Sequence, residues 1–323
     1  MFMAELKVKL HPSRNPQKKV SVFSFFLEQI QFLTECKRLG TADNYRHAAE
    51  SLCAFTEGRD LWFTEIDTRL VDLYNDFLLR KGMARNSLSF HMRILRALYN
   101  KAVRRGYAKQ TFPFREVYTG VDRTRKRAVG EQVISRLIQL PLEDRPVLSF
   151  ARDLFLFSFY TRGMAFVDMV YLRKSDIRGN VIRYVRHKTG QTLKIRVEPC
   201  IQAIIDRYSA PGTSYVFPIL QNDEQPDDAF RRYKSGLRLY NKRLAQISRL
   251  LELEEGLSSY TSRHSWATMA HKHNIPVSVI SAGMGHSSEK TTQIYLASIE
   301  DRQVDNANQE LLECLSRMNP LKA

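Results

Sequence analysis

Residues 263–268 read Arg-His-Ser-Trp-Ala-Thr, residues 284–288 read Met-Gly-His-Ser-Ser, and residues 291–295 read Thr-Thr-Gln-Ile-Tyr. Arg263, His286 and Tyr295 thus fall within 33 residues. Arg263 is a permanent cation whose planar fork suits bidentate binding of a phosphate. His286 can donate to a phosphoryl oxygen or move a proton. Tyr295 carries an oxygen nucleophile able to hold a covalent intermediate. A lone tyrosine on a helix is ordinarily core or surface, but the ordered set points to metal-free attack on a phosphodiester.

The set resembles the second signature box of the tyrosine recombinase family. That box reads roughly His-x-x-Arg, then Leu-Gly-His, then a tyrosine nine residues after the last histidine; here His286 plus nine is Tyr295. The resemblance implies a mainly α fold with a small β-sheet: a helical, SAM-like core-binding domain followed by a mixed α+β catalytic domain. It also implies a lysine in a β-hairpin between two arginine boxes. Residues 181–197 alternate like two strands around Thr189-Gly190 and put Lys188 at the tip. In the family position Lys188 would be the general acid that protonates the departing 5′-oxygen while Tyr295 attacks. Lys194 reads as a solvated hairpin lysine.

Two positions depart from the family pattern. The first box usually reads Thr-Gly-x-Arg-x-x-Glu, and counting back ten residues from Ser175 lands on Ala165, with Gly163 and Asp168 holding the register. Alanine cannot bind phosphate. Arg162 lies three residues earlier, and on a helix positions i and i+3 share a face, so Arg162 is expected to supply the missing guanidinium; otherwise it binds DNA backbone or Asp168. The second departure puts Tyr260 where the family has the histidine of His-x-x-Arg. Its hydroxyl can donate one hydrogen bond to a phosphate oxygen. His264 matches a histidine common in the family and is read in a buried orienting role or in direct chemistry.

Composition agrees with a polyanionic partner. Fifty Lys plus Arg against 34 Asp plus Glu give a net charge of +16. The length of 323 residues suggests two domains, and 43% hydrophobic residues suffice for real cores. Cys36, Cys53, Cys200 and Cys314 are scattered without a CxxC pair and read as reduced thiols. His264, His271 and His273 lack the spacing and partners of a metal site, and no Walker-type loop is present. No metal and no cofactor are therefore expected. No apolar run suits a membrane span or a signal peptide, which points to the bacterial cytoplasm and the nucleoid.

The chain is read as an N-terminal extension (1–19), a helical core DNA-binding domain (20–110), a basic linker (111–127), the catalytic domain (128–300) and a C-terminal helix (301–323). Thr41 is expected as an N-cap and Asn86 near the start of a helix that runs to about Arg105. On that helix Met92, Leu95, Leu98, Tyr99, Ala102 and Val103 form an apolar stripe. Arg93, Arg96, Asn100 and Arg104 repeat along another face, which suits DNA or is a solvated surface. Arg125, Lys126 and Arg127 of the linker are expected on DNA, and Arg231 and Arg232 on a further basic helix to track phosphates.

The resemblance implies a site-specific recombinase that cleaves and rejoins double-stranded DNA through a 3′-phosphotyrosyl intermediate. Four protomers would act on paired recombination sites, as a homotetramer on DNA and a monomer or dimer otherwise. Tyr260 and the Arg162-Gly163-Met164 segment resemble recombinases of Bacteroides-type bacteria, where DNA inversion and mobile-element integration both occur. The segment ahead of the first helix reads as too short for an arm-binding domain. Val304, Leu311, Leu312, Leu315 and Met318 give the terminal helix an apolar stripe, read as exchanged between protomers. The alternatives are a type IB topoisomerase-like enzyme and a catalytically weak DNA-binding regulator.

Overall fold

The computed structural model describes residues 20–122, 128–286, 288–289, 292, 308–309 and 312–313. The chain forms two compact units that divide between residues 124 and 125.

The first unit is helical: α1 (Val22–Glu35), α2 (Leu39–Phe55), α3 (Thr68–Arg80) and α4 (Arg85–Arg104). Ser21 caps α1 by accepting the Ser24 N–H, and its hydroxyl donates to Asp60 at 2.6 Å. Asp67 caps α3 through the Leu70 N–H at 2.8 Å. Thr41 is not a cap. α1 ends in a turn with Lys37 at φ 57°, closed by Arg38 N–H to Leu33 O, and Arg38 already starts α2, leaving Thr41 inside the helix.

On α4 the expected stripe faces inward, with Met92, Leu95, Leu98, Tyr99 and Ala102 buried. The chain beyond α4 folds back onto it. Phe114 is buried with its ring 5.9 Å from that of Tyr99. The Tyr99 hydroxyl donates to Lys109 O, the Ser89 hydroxyl to Gly120 O, and Asn86 exchanges two hydrogen bonds with the Asp122 backbone. The segment expected as a linker is therefore not uniform: up to Asp122 it is bonded to the helical unit.

The second unit holds α5 (Glu131–Gln139), α6 (Pro146–Tyr160), α7 (Phe166–Val170), strands β1 (Ile177–Arg178), β2 (Val181–Val185) and β3 (Thr192–Arg196), then α8 (Pro199–Tyr208), α9 (Pro226–Leu250), α10 (Thr261–Lys272) and α11 (Val277–Met284). The strands form an antiparallel sheet in the order β1-β2-β3, with Ile182 opposite Ile195 and Val185 opposite Thr192. Proline opens α6, α8 and α9, where its missing N–H costs nothing. Phe155, Phe157, Met169, Ile182, Ile195, Phe217 and Leu244 lie in the core.

Helix α10 is buried although its sequence carries no apolar stripe. Thr261, Ser262, Arg263, His264 and Ser265 are all buried, so their polar groups need partners. The Ser262 hydroxyl meets that of Ser158 on α6 at 2.8 Å, and the Ser265 hydroxyl donates to Thr261 O while accepting the Val129 N–H. Polar locks hold this helix in place.

The expected helical face shared by Arg162 and Ala165 does not exist. α6 ends at Tyr160, and the next turn is closed by Arg162 N–H to Phe159 O and Gly163 N–H to Ser158 O. This is a Schellman turn with Arg162 left-handed at φ 60°. Ala165 is already the N-cap of α7.

Candidate active site

Arg263 stands in the first turn of α10 and is 3% exposed. A buried guanidinium is tolerable only if its donors are satisfied. Nη1 donates to Gly163 O at 2.6 Å, and Nη2 reaches Met284 O at 2.7 Å and His286 Nε2 at 3.0 Å. The first contact needs glycine at 163. A Cβ there would stand 2.6 Å from Arg263 Cγ and 2.7 Å from its Cα, and the residue has φ 75°. Arg263 thus fits against bare backbone of the turn that follows α6.

α11 ends in a second Schellman turn, with Gly285 at φ 65° and His286 N–H bonded to Ser281 O. That bond fixes the position of His286. Because guanidinium only donates, His286 Nε2 accepts from Arg263, and Nδ1 carries the proton toward Thr292 Oγ1 at 2.8 Å. Burial first, then the charges of Arg263, Arg186 and Lys188, push His286 down to about 4. At neutral pH it is uncharged.

The β2–β3 hairpin supplies the third side. Arg186 N–H donates to Gln191 O and Gly190 N–H to Arg186 O, with Gly190 at φ 70° closing the tip. Buried Asp168 on α7 anchors this tip by accepting the His187 N–H at 2.8 Å. Lys188 is exposed at the tip, and its charge is among those felt by His286.

Arg186 is the residue that sequence reading passed over. It is 8% exposed, donates through Nη1 to Gly285 O at 2.5 Å, and has Nε 4.0 Å from Asp168. The signal was the alternation itself. Ile182 and Tyr184 point inward on β2, and Arg186 continues that phase. The Tyr184 hydroxyl, raised by burial first and then by Asp168, is also within the fields of Arg263, Arg186 and Arg162.

Residues 21–117 match the model of the phage integrase SAM-like domain, and residues 130–302 match that of the phage integrase family. The chain belongs to the phage integrase family. It is 26% identical to the tyrosine recombinase XerC of Chromohalobacter salexigens over 79% of this chain and 84% of that protein. To XerD of Haemophilus influenzae it is 23% identical over 88% and 96%. A lambda integrase dimer bound to a COC′ core site shares the fold at TM-score 0.62 and 14% identity, covering 91% of this chain and 84% of that one. The Tn1549 transposon integrase in complex with circular intermediate DNA does so at TM-score 0.64 and 14% identity, covering 90% and 99%. This integrase is a site-specific tyrosine recombinase, an enzyme that breaks and rejoins DNA.

The other residues singled out in the integrase sequence fall as follows. Tyr295 lies outside the described residues, as do Arg125, Lys126 and Arg127 and most of 301–323. Arg162 runs its stem past α11, with Cδ 3.5 Å from where a Gly283 Cβ would stand. Tyr260 is the N-cap of α10 and 47% exposed, with its ring 6.1 Å from that of buried His264. In the first unit Arg93 and Arg104 are exposed. Arg96 donates to Thr119 Oγ1 and Asn100 accepts from Gln110, so those two also hold the chain that folds back on α4. Arg231 pairs with Asp228 and Arg232 with Glu224, which offsets their charge. His273 bonds Glu131 at 2.7 Å, and among the described residues no three His, Cys, Asp or Glu gather as metal ligands. No described helix is long and apolar enough to cross a membrane.

Proposed function

We propose that this integrase recombines paired sites in double-stranded DNA with Tyr295 as nucleophile, Arg263 at the scissile phosphate, His286 orienting Arg263 and Lys188 as general acid. The observation that carries this reading is the setting of Arg263, a buried guanidinium aimed by two carbonyls and a neutral imidazole. Fixed donors placed where charge develops are worth most in a water-poor site. His286, uncharged at neutral pH, orients Arg263 without adding a further fixed positive charge.

In the cleavage step the Tyr295 oxygen bonds to phosphorus and its proton passes to water. The bond from phosphorus to the 5′-oxygen breaks, and that oxygen takes a proton from the Lys188 ammonium. The products are a 3′-phosphotyrosine and a free 5′-hydroxyl; reversal with a new 5′-hydroxyl rejoins the strand. Bond energy is kept in the phosphotyrosine, so no ATP enters the balance.

A lambda integrase structure describes a tetramer bound to a Holliday junction, which supports a four-protomer assembly on DNA for this chain. Residues 301–323 are read as the exchanged helix and the bacterial cytoplasm as the place of work. Whether the outcome is inversion or integration follows from how the two sites are arranged. The test uses a pool of duplexes of randomised sequence, each nicked on one strand so that the short 5′-hydroxyl fragment diffuses away after cleavage. The full-length protein should yield adducts that survive denaturation and share one sequence, and Tyr295→Phe should yield none. Adducts from the Phe variant, or none from the native protein, would overturn the reading.

A further inference from the structure

A phosphoryl transfer of this kind raises the charge on the two non-bridging oxygens as the five-coordinate phosphorus forms. One guanidinium leaves half of that charge unattended, and Ala165, at the position where the family's first box has an arginine, cannot help. We propose that Arg186 supplies the second guanidinium on the scissile phosphate. This inference rests on the recombinase reading above and adds a residue to it.

The argument is geometric. Arg263 donates to Met284 O and Arg186 to Gly285 O, two consecutive carbonyls of one left-handed turn, and the next residue is His286. Both arginines are buried and both are aimed by backbone acceptors. A Cβ at Gly285 would stand 3.1 Å from Arg186 Cδ and 2.9 Å from Leu193 Cδ1, so the hairpin packs directly on this turn. The Nη1 bond to Gly285 uses one of the five N–H donors of a guanidinium, which leaves the fork with capacity for a phosphate oxygen. The field at His286 agrees: after burial and Arg263, the charge that presses on it most is that of Arg186. Arg162 takes another course, along Gly283.

The alternative is that Arg186 merely pins the hairpin. A substrate with one charge removed separates the two roles. Replacing one non-bridging oxygen of the scissile phosphate by methyl gives a neutral methylphosphonate, which no longer needs the second cation. Both stereoisomers are made at the site defined by the adducts of the native protein. For each protein the ratio of cleavage rates on methylphosphonate and phosphate is compared, a ratio independent of how much of the sample is folded. Arg186→Ala and Arg186→Met should lose cleavage on phosphate on the order of a hundredfold, and one methylphosphonate isomer should restore most of it. Arg162→Ala should keep the native ratio. A ratio in both Arg186 variants equal to that of the native protein, or a jump in Arg162→Ala instead, would show that Arg186 does not bind the phosphate. If the native protein forms no adduct on any DNA, the recombinase reading itself fails.

Discussion

α4 and α10 both carry arginines, and they use them in opposite ways. On α4 the apolar residues are inside and Arg93 and Arg104 are exposed. Such arginines are long, solvated and screened by salt; they can follow a phosphate backbone without fixing it. On α10 the polar residues are inside, and Arg263 is held between the turns that follow α6 and α11. Burial there costs solvation, which is offset by carbonyl acceptors and by the Ser158–Ser262 lock. One helix presents Arg93 and Arg104 to solvent, the other buries Arg263.

A glycine pair breaks this comparison most sharply. Gly163 and Gly106 share a left-handed φ, 75° and 73°. A Cβ at 163 meets Arg263, while one at 106 meets nothing within 4 Å. Gly163→Ala should therefore lose the roughly 1–2 kcal/mol of a left-handed alanine and in addition displace Arg263, lowering adduct formation on the order of a hundredfold. Gly106→Ala should show the conformational cost alone. Thermal melting and adduct rates of the two variants check this, and equal rates would mean that Gly163 does not set Arg263.

The buried site should also respond to acid, in the same sense as His91 of α4, which burial lowers from its ordinary value. His286 lies below its ordinary value of 6.5, at about 4, so in this range the unfolded chain binds more protons than the folded one. The stability that His286 contributes is complete above about pH 6.5 and is lost as pH falls toward about 4. His286→Gln, which keeps an amide able to hydrogen-bond, should flatten that part of the stability curve. An unchanged slope in denaturant melts across this window would show that His286 is not shielded.

The smallest effect belongs to α4. Arg93→Ala and Arg104→Ala should each lower the slope of log affinity against log salt by about 0.9 if the residue meets a phosphate. The loss should appear in affinity and not in the rate at saturating DNA. A salt slope equal to that of the native protein would make that residue an ordinary solvated arginine.

Much of this was legible in the sequence. The α4 stripe marked its buried side, the alternation in 181–197 marked the hairpin, and the order of Arg263 and His286 named two residues that the structure brings together. What was hidden has physical causes. Arg162 reads as helical because nothing in a residue name announces a left-handed turn, which here is set by carbonyls of α6. Arg186 is hard to find because an arginine beside a strand reads as surface, although its phase with Ile182 and Tyr184 points inward. Thr41 lost its capping role to a turn that began the helix early. Residues 111–122 looked like a linker because their bonds run to the α4 residues Asn86, Ser89 and Tyr99, far away in sequence.

The consecutive carbonyls of Met284 and Gly285 carry a last consequence. Each holds one arginine, one from α10 and one from the hairpin, and both belong to a single turn closed by Gly285 N–H to Ala282 O and His286 N–H to Ser281 O. A shift of the whole turn therefore repositions both charges together. Whatever displaces the turn as a body acts on both at once, as a single catch.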